Sequence, residues 1–171
     1  CYLNKVRASS RKENKIETIK VLILGDYVPS CTIKTLQLLE AALPHMTVAA
    51  TYTIKPHLSY QVNPEDYPSL NLEVVMDHLE KILYNFDVAY SANKTSASVD
   101  SYIAGLQTVV MLDNAELNFS ALRGQSGVRF VRGPEELAEA LQMARQNTIE
   151  RPENSGFFFL DPELQRWKKS W

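Results

Sequence analysis

DVAYSANKTSASVDSYIAGLQTVVMLDN, residues 87–114, reads as strand, polar loop, short helix and strand, which is half of a βαβ unit. Val88, Ala89 and Tyr90 form a brief apolar run that stops at Ser91, and residues 91–98 then carry Ser91, Thr95, Ser96 and Ser98. Thr95 or Ser96 suits an N-cap, because a side-chain oxygen there can accept from N–H groups that the first helical turn leaves free. Val99, Tyr102, Ile103 and Leu106 follow at helical spacing, Gly105 stops the helix, and residues 108–112 are β-branched enough for the next strand. The positive end of such a helix faces the crevice at the carboxyl end of its strand, where open α/β sheets hold anionic ligands. A Ser/Thr cluster ahead of a helix is more often a cap alone, so this loop needs company before it carries a function.

Upstream, KVLILGD at residues 20–26 is a continuous apolar run closed by Gly-Asp, the pattern of a central strand buried on both faces. Ile33, Leu36, Leu39 and Leu43 mark an amphipathic helix ended by Pro44, and residues 47–54 read as a second strand. That strand runs into Lys55-Pro56-His57 and an irregular stretch with Pro64 and Pro68. Val75, Leu79, Ile82 and Leu83 define another helix before residue 87. Downstream, residues 113–127 read as loop with one helical turn, residues 128–131 as a strand, and Gly133-Pro134-Glu135-Glu136 as a helix start with carboxylates against the dipole. Leu137, Leu141 and Ala144 continue its buried face. Phe157, Phe158, Phe159 and Leu160 lead through Asp161-Pro162 to a short terminal helix carrying Trp167. This alternation gives an α/β class: a Rossmann-like, doubly wound, mainly parallel sheet. Residues 1–18, with scattered Lys and Arg, read as a linker or tail, and residues 19–171 as the domain.

Composition narrows the function. At 171 residues, 45% hydrophobic and 22% charged, the chain fits one globular domain. A net charge of -2 supplies no field for nucleic acid. Cys1 and Cys31 have neither disulfide-framework nor zinc spacing, which fits a reducing, cytoplasmic setting. No apolar run is long enough for a transmembrane segment. Gly25 opens no dinucleotide fingerprint and no GxxxxGK[ST] occurs, so NAD and P-loop chemistries lose their weight. No DxD motif is present to hold a metal, and His45 and His78 have no chemical context. The start at Cys1 rather than Met points to a piece of a longer chain.

Taken together, Lys55-Pro56-His57, the Ser/Thr loop and Asp100, five residues before Gly105, resemble the C-terminal nucleotide-binding domain of GT-B glycosyltransferases. More narrowly they are similar to bacterial surface-carbohydrate enzymes that use CMP-sugars or CDP-alcohols, and FFFLDPELQRW at residues 157–167 looks like the tail of such a family. The resemblance implies the donor half of a GT-B transferase in capsule or lipopolysaccharide biosynthesis, with a CMP-activated acidic sugar as nucleotide-sugar donor and no further cofactor. It implies nucleotide-binding roles for Lys55, His57, Ser91, Thr95, Ser96 and Asp100. His57 would stabilise the leaving phosphate, and Asp100 would contact ribose. It also implies an N-terminal acceptor domain outside these residues that brings the catalytic base, and a cytoplasmic protein peripheral to the inner membrane through its full length. Where those families carry His-Pro, Leu58 follows His57, which leaves this loop less fixed by its own covalent geometry. Two alternatives stand beside this reading. One keeps the fold for a CDP-alcohol phosphotransferase or a UDP-sugar 2-epimerase. The other is a non-enzymatic Rossmann-like interaction module, whose receiver version is weakened because Asp26 has no paired acidic residue beside it.

Overall fold

The computed structural model describes residues 18–115 and 117–144. The chain runs β1 (Ile19–Leu24), α1 (Pro29–Ala42), β2 (Ala50–Lys55), β3 (Glu73–Val74), α2 (Leu79–Ile82), β4 (Val88–Ala92), α3 (Ala97–Ile103), β5 (Gln107–Met111), β6 (Val128–Val131) and α4 (Pro134–Met143). The six strands form one sheet in the order β3-β2-β1-β4-β5-β6, every neighbouring pair parallel. This is a Rossmann-like α/β architecture.

β1 is central because none of its apolar side chains tolerates water. Successive side chains point to opposite faces, so a strand without a polar face must be covered twice. Ile19, Val21 and Ile23 enter one layer with Leu36 and Leu39 of α1 and Leu137 and Leu141 of α4. Leu22 and Leu24 enter the other with Leu79 and Ile82 of α2 and with Ala104 and Leu106 just after α3. Each such burial stabilises by about 1.5–3 kcal/mol. Tyr90 in β4 is fully buried and its hydroxyl donates to the Thr35 carbonyl of α1 at 3.2 Å. Burial pushes that phenol far above its ordinary range.

Five local expectations change. β2 starts at Ala50 rather than residue 47, since parallel pairing begins only where Ile19 meets Ala50. The irregular stretch holds two 3₁₀ turns, Pro64–Asp66 and Pro68–Leu70, and then the short edge strand β3. Val75 is not helical: its N–H donates to the Ile54 carbonyl, which extends the sheet edge and shortens the expected helix to α2 and a 3₁₀ turn, Leu83–Asn85. Along α1 the buried face is Cys31, Thr32, Thr35, Leu36, Leu39 and Ala42, while Ile33 and Leu43 are only half-buried. Threonines can take core positions there because the Thr35 hydroxyl donates to the Cys31 carbonyl at 2.8 Å. The described residues between β5 and β6 are turns without a helix. The basic tail and the terminal helix lie outside the described residues.

Tyr90→Phe tests how much the layer depends on this polar anchor. It should lower unfolding stability by about 1 kcal/mol with an unchanged denaturant slope, read by urea titration. An unchanged midpoint would mean that the hydroxyl bond contributes nothing to packing of α1.

Candidate functional site

Since all strands are parallel, every loop that could bind a ligand leaves the same sheet edge. β1 continues into α1 on one face and β4 into α3 on the other, so the two loops part and open a crevice between them. The floor there is polar and closely built. Asp26 is 1% exposed; its N–H donates to Thr32 Oγ1 at 2.8 Å, and its Oδ1 accepts the Val28 N–H at 2.9 Å. Asp26 Oδ2 is buried with no hydrogen-bond partner. Ser91, paired in register with Leu24 two residues before Asp26, likewise buries an unpartnered Oγ. Buried polar atoms without partners are rare, and two flanking a crevice mark a place completed by ordered water or by a ligand.

The loop after β2 reaches this crevice because residue 25 has no side chain. The Gly25 N–H donates to the Lys55 carbonyl at 2.9 Å, and a Cβ at residue 25 would stand 2.8 Å from the His57 nitrogen and 3.0 Å from the Pro56 Cα. Only glycine permits that approach. His57 itself is exposed, with Nδ1 2.8 Å from Ser59 Oγ and 3.2 Å from the Ser59 N–H that donates to it. Ser59 Oγ also lies 3.1 Å from the Tyr27 carbonyl, and the Tyr27 and His57 rings meet edge to face at 6.4 Å. Lys55 departs from this group, since its ammonium lies 3.5 Å from the Met76 carbonyl beyond β3.

Beyond β4, Ser96 occupies the N-cap of α3 but makes no side-chain cap bond. The helix is instead tightened from inside, as Ser98 Oγ donates to the Thr95 carbonyl at 2.8 Å and Ser101 Oγ to the Ala97 carbonyl at 3.0 Å. Those bonds let Ser98, Ser101 and Tyr102 form the buried face, where spacing had given that place to Val99 and Ile103 as well. Gly105, at φ 83°, ends the helix with its N–H on the Tyr102 carbonyl and the Leu106 N–H on the Ser101 carbonyl. This is a Schellman stop, which needs a residue at ease in the left-handed region. Asp100 is half-buried on α3, and desolvation raises its carboxyl above the ordinary 3.8.

His57, Ser91, Thr95 and Ser96 thus share the carboxyl edge, β2 and β4 standing two strand spacings apart, about 10 Å. Sequence reading passed over Asn93, buried after β4 with Nδ2 donating to the Leu117 carbonyl at 2.9 Å, and over Ser59 and the place of Asp26 on the crevice floor. The Gly-Asp ending of the first strand was the available signal. A rim of exposed apolar side chains, Tyr27, Leu58, Met76, Leu117 and Phe119, follows the carboxyl ends of β1, β2, β3 and β5. Among the described residues no helix is long and apolar enough to cross a membrane.

No family model matches the chain, and no curated protein matches it in sequence. Among solved structures the fold is similar to Thermosulfurimonas dismutans KpsC, beta Kdo 2,7 transferase, with a TM-score of 0.52 and 14% identity over 82% of this chain. This chain spans 50% of that one. A second structure from the same organism, KpsC, beta Kdo 2,4 transferase, gives 0.45 and 12% identity, covering 81% of this chain and 51% of that one. The likeness is one of fold.

Two outcomes are expected from this geometry. The raised Asp100 carboxyl binds its proton more tightly folded than unfolded, so its stabilising share is complete below pH 3.8 and lost as pH rises through the elevated folded value. Asp100→Asn should therefore raise the melting temperature at pH 7 and change nothing near pH 3; a gain independent of pH would remove desolvation as the cause. Gly25→Ala should cost about 1–3 kcal/mol through overpacking. It should also shift the amide resonances of His57 and Ser59, which would stay put if the two loops were not in contact.

Proposed function

We propose that this chain is the donor-nucleotide-binding half of a GT-B glycosyltransferase of surface polysaccharide biosynthesis, taking a CMP-activated acidic sugar. The observation that carries the reading is the crevice at the switch point between β1 and β4, where Asp26 Oδ2 and Ser91 Oγ are buried without partners and His57 is held at the neighbouring strand end. A nucleotide-sugar offers what such a place requires: hydroxyls for bare acceptor oxygens and a phosphate for hydroxyl and imidazole donors. The fold likeness to a KpsC Kdo transferase supports the coarser part of this reading, a glycosyltransferase-like domain of surface polysaccharide synthesis.

In this reading Thr95, Ser96 and the first turn of α3 bind the phosphate, with Ser91 beneath them. His57 Nε2 meets the charge that builds on the departing phosphate, where a donor strengthens as the bond breaks. Asp100 takes a ribose hydroxyl, and Lys55 adds positive charge at the margin. The acceptor and the catalytic base belong to an N-terminal domain outside these residues, and the exposed apolar rim is the surface that such a domain would cover. The same crevice would serve a CDP-alcohol phosphotransferase or a UDP-sugar 2-epimerase, so the base and phosphate count of the ligand decide among them.

Calorimetric titration of the full chain with CMP, CDP and UDP tests this directly, CMP being expected to bind tightest. Because Ser96 makes no cap bond, Thr95→Ala/Ser96→Ala should stay within about 0.5 kcal/mol of wild-type stability. CMP affinity should fall about ten- to hundredfold, as expected when a charge-assisted bond of roughly 1.5–3 kcal/mol is lost. Lowered stability with unchanged affinity would leave this loop a capping element, and absence of binding to all three nucleotides would sink the donor-domain reading.

A further inference from the structure

We infer that Ser59 is a positioning residue for His57, locking the imidazole so that Nε2–H is presented to a ligand phosphate, in place of the covalent stiffening a proline at residue 58 would give. The inference rests on the donor-site reading for its ligand, but its geometry stands independently. Leu58 is 84% exposed, so its side chain has little to fix the backbone or the ring with. Ser59 fixes both. Its N–H donates to His57 Nδ1 at 3.2 Å, which makes that nitrogen an acceptor and assigns the proton of the neutral ring to Nε2. Its hydroxyl donates to the Tyr27 carbonyl at 3.1 Å, and the same Oγ lies 2.8 Å from Nδ1, so one side chain ties the ring to the loop after β1.

The consequence is directional. The in-plane bonding directions of the two imidazole nitrogens diverge widely, so holding Nδ1 back against Ser59 turns Nε2 away from it. Tyr27 closes the arrangement from the β1 side, its carbonyl anchoring Ser59 and its ring standing edge to face with His57. A donor fixed before the ligand arrives forfeits less rotamer entropy on binding than a free side chain does. The loop after β1 and the loop after β2 are thereby joined at the backbone by Gly25 and at the side chains by Ser59.

The test is nitrogen-15 NMR of the His57 ring in the full chain, together with calorimetric titration with CMP, for wild type, Ser59→Ala and Ser59→Thr. In wild type the neutral ring should be the Nε2–H tautomer. Ser59→Ala keeps the backbone N–H, so the Nε2–H tautomer should persist; without the hydroxyl contact the ring should leave its single rotamer, read from its nuclear Overhauser effects, and CMP should weaken about three- to tenfold, the span expected for one hydrogen bond, while the melting temperature holds. Ser59→Thr should restore both rotamer and affinity. An Nδ1–H tautomer in wild type, or a Ser59→Ala ring that keeps its rotamer with CMP affinity within about twofold of wild type, would overturn the inference. If wild type binds no CMP, the donor reading fails by itself, and the tautomer and rotamer measurements decide whether Ser59 holds the ring.

Discussion

The structure depends on parallel pairing of a strand that has no polar side. Once β1 must be covered on both faces, its neighbours have to arrive by crossover connections, and crossovers place every strand's carboxyl end on one edge. β2 and β4 take the two sides of β1, and the chain winds away from it in both directions. The crevice is therefore a by-product of burying Val21, Leu22, Ile23 and Leu24. What the sequence adds locally is the chemistry of residues just past those strand ends.

That division explains what could be read from residues alone. The continuous apolar run at residues 20–26, the glycine stop of α3, and Pro134 with two glutamates are local patterns, and each yielded its element because propensity and packing agree there; the cap of α3 falls at Ser96, but its side-chain bond is not made. Val75 failed for the opposite reason: its periodicity is helical, but the edge of β2 offers the Ile54 carbonyl, and that tertiary bond outweighs a weak local preference. The serines of α3 were misjudged in kind. Hydroxyls that donate to carbonyls three and four residues back behave as small core residues, and no hydropathy pattern distinguishes them from exposed ones.

The candidate site was legible only as far as strand ends were. His57, Ser91, Thr95 and Ser96 could be placed on one edge by topology. The partners that give them direction could not, since Ser59 acts through Tyr27, 32 residues away, and Gly25 through backbone atoms of the next loop. Lys55 shows the limit from the other side: nearness in sequence to His57 grouped them, yet β2 ends at Lys55 and the chain turns through Pro56, so strand alternation no longer carries the two to one side, and the Lys55 ammonium turns toward Met76. The Lys34–Asp113 pair, which holds α1 to the loop after β5 and depresses the Asp113 carboxyl, joins residues 79 positions apart and could not be foreseen from spacing.

The charge pattern of the crevice also constrains how an anionic ligand can lie. In dinucleotide-binding sheets the phosphates sit on the turn after the first strand, using free N–H groups of the following helix. Here that turn offers them fewer free donors. The Val28 N–H is already taken by Asp26 Oδ1, Pro29 at the first helical position has no N–H, and the Asp26 carboxylate would repel a phosphate placed above it. On the proposed donor-site reading the anion lies to the side of β1, toward His57 on one flank or the Ser/Thr loop on the other, and Asp26 takes hydroxyls over the middle of the sheet. A ligand with one compact anionic group joined to two polyol portions suits that reading better than a dinucleotide with its pyrophosphate over β1. The missing glycine fingerprint after Gly25 and the buried carboxyl of Asp26 then belong to one turn that offers a pyrophosphate few free donors.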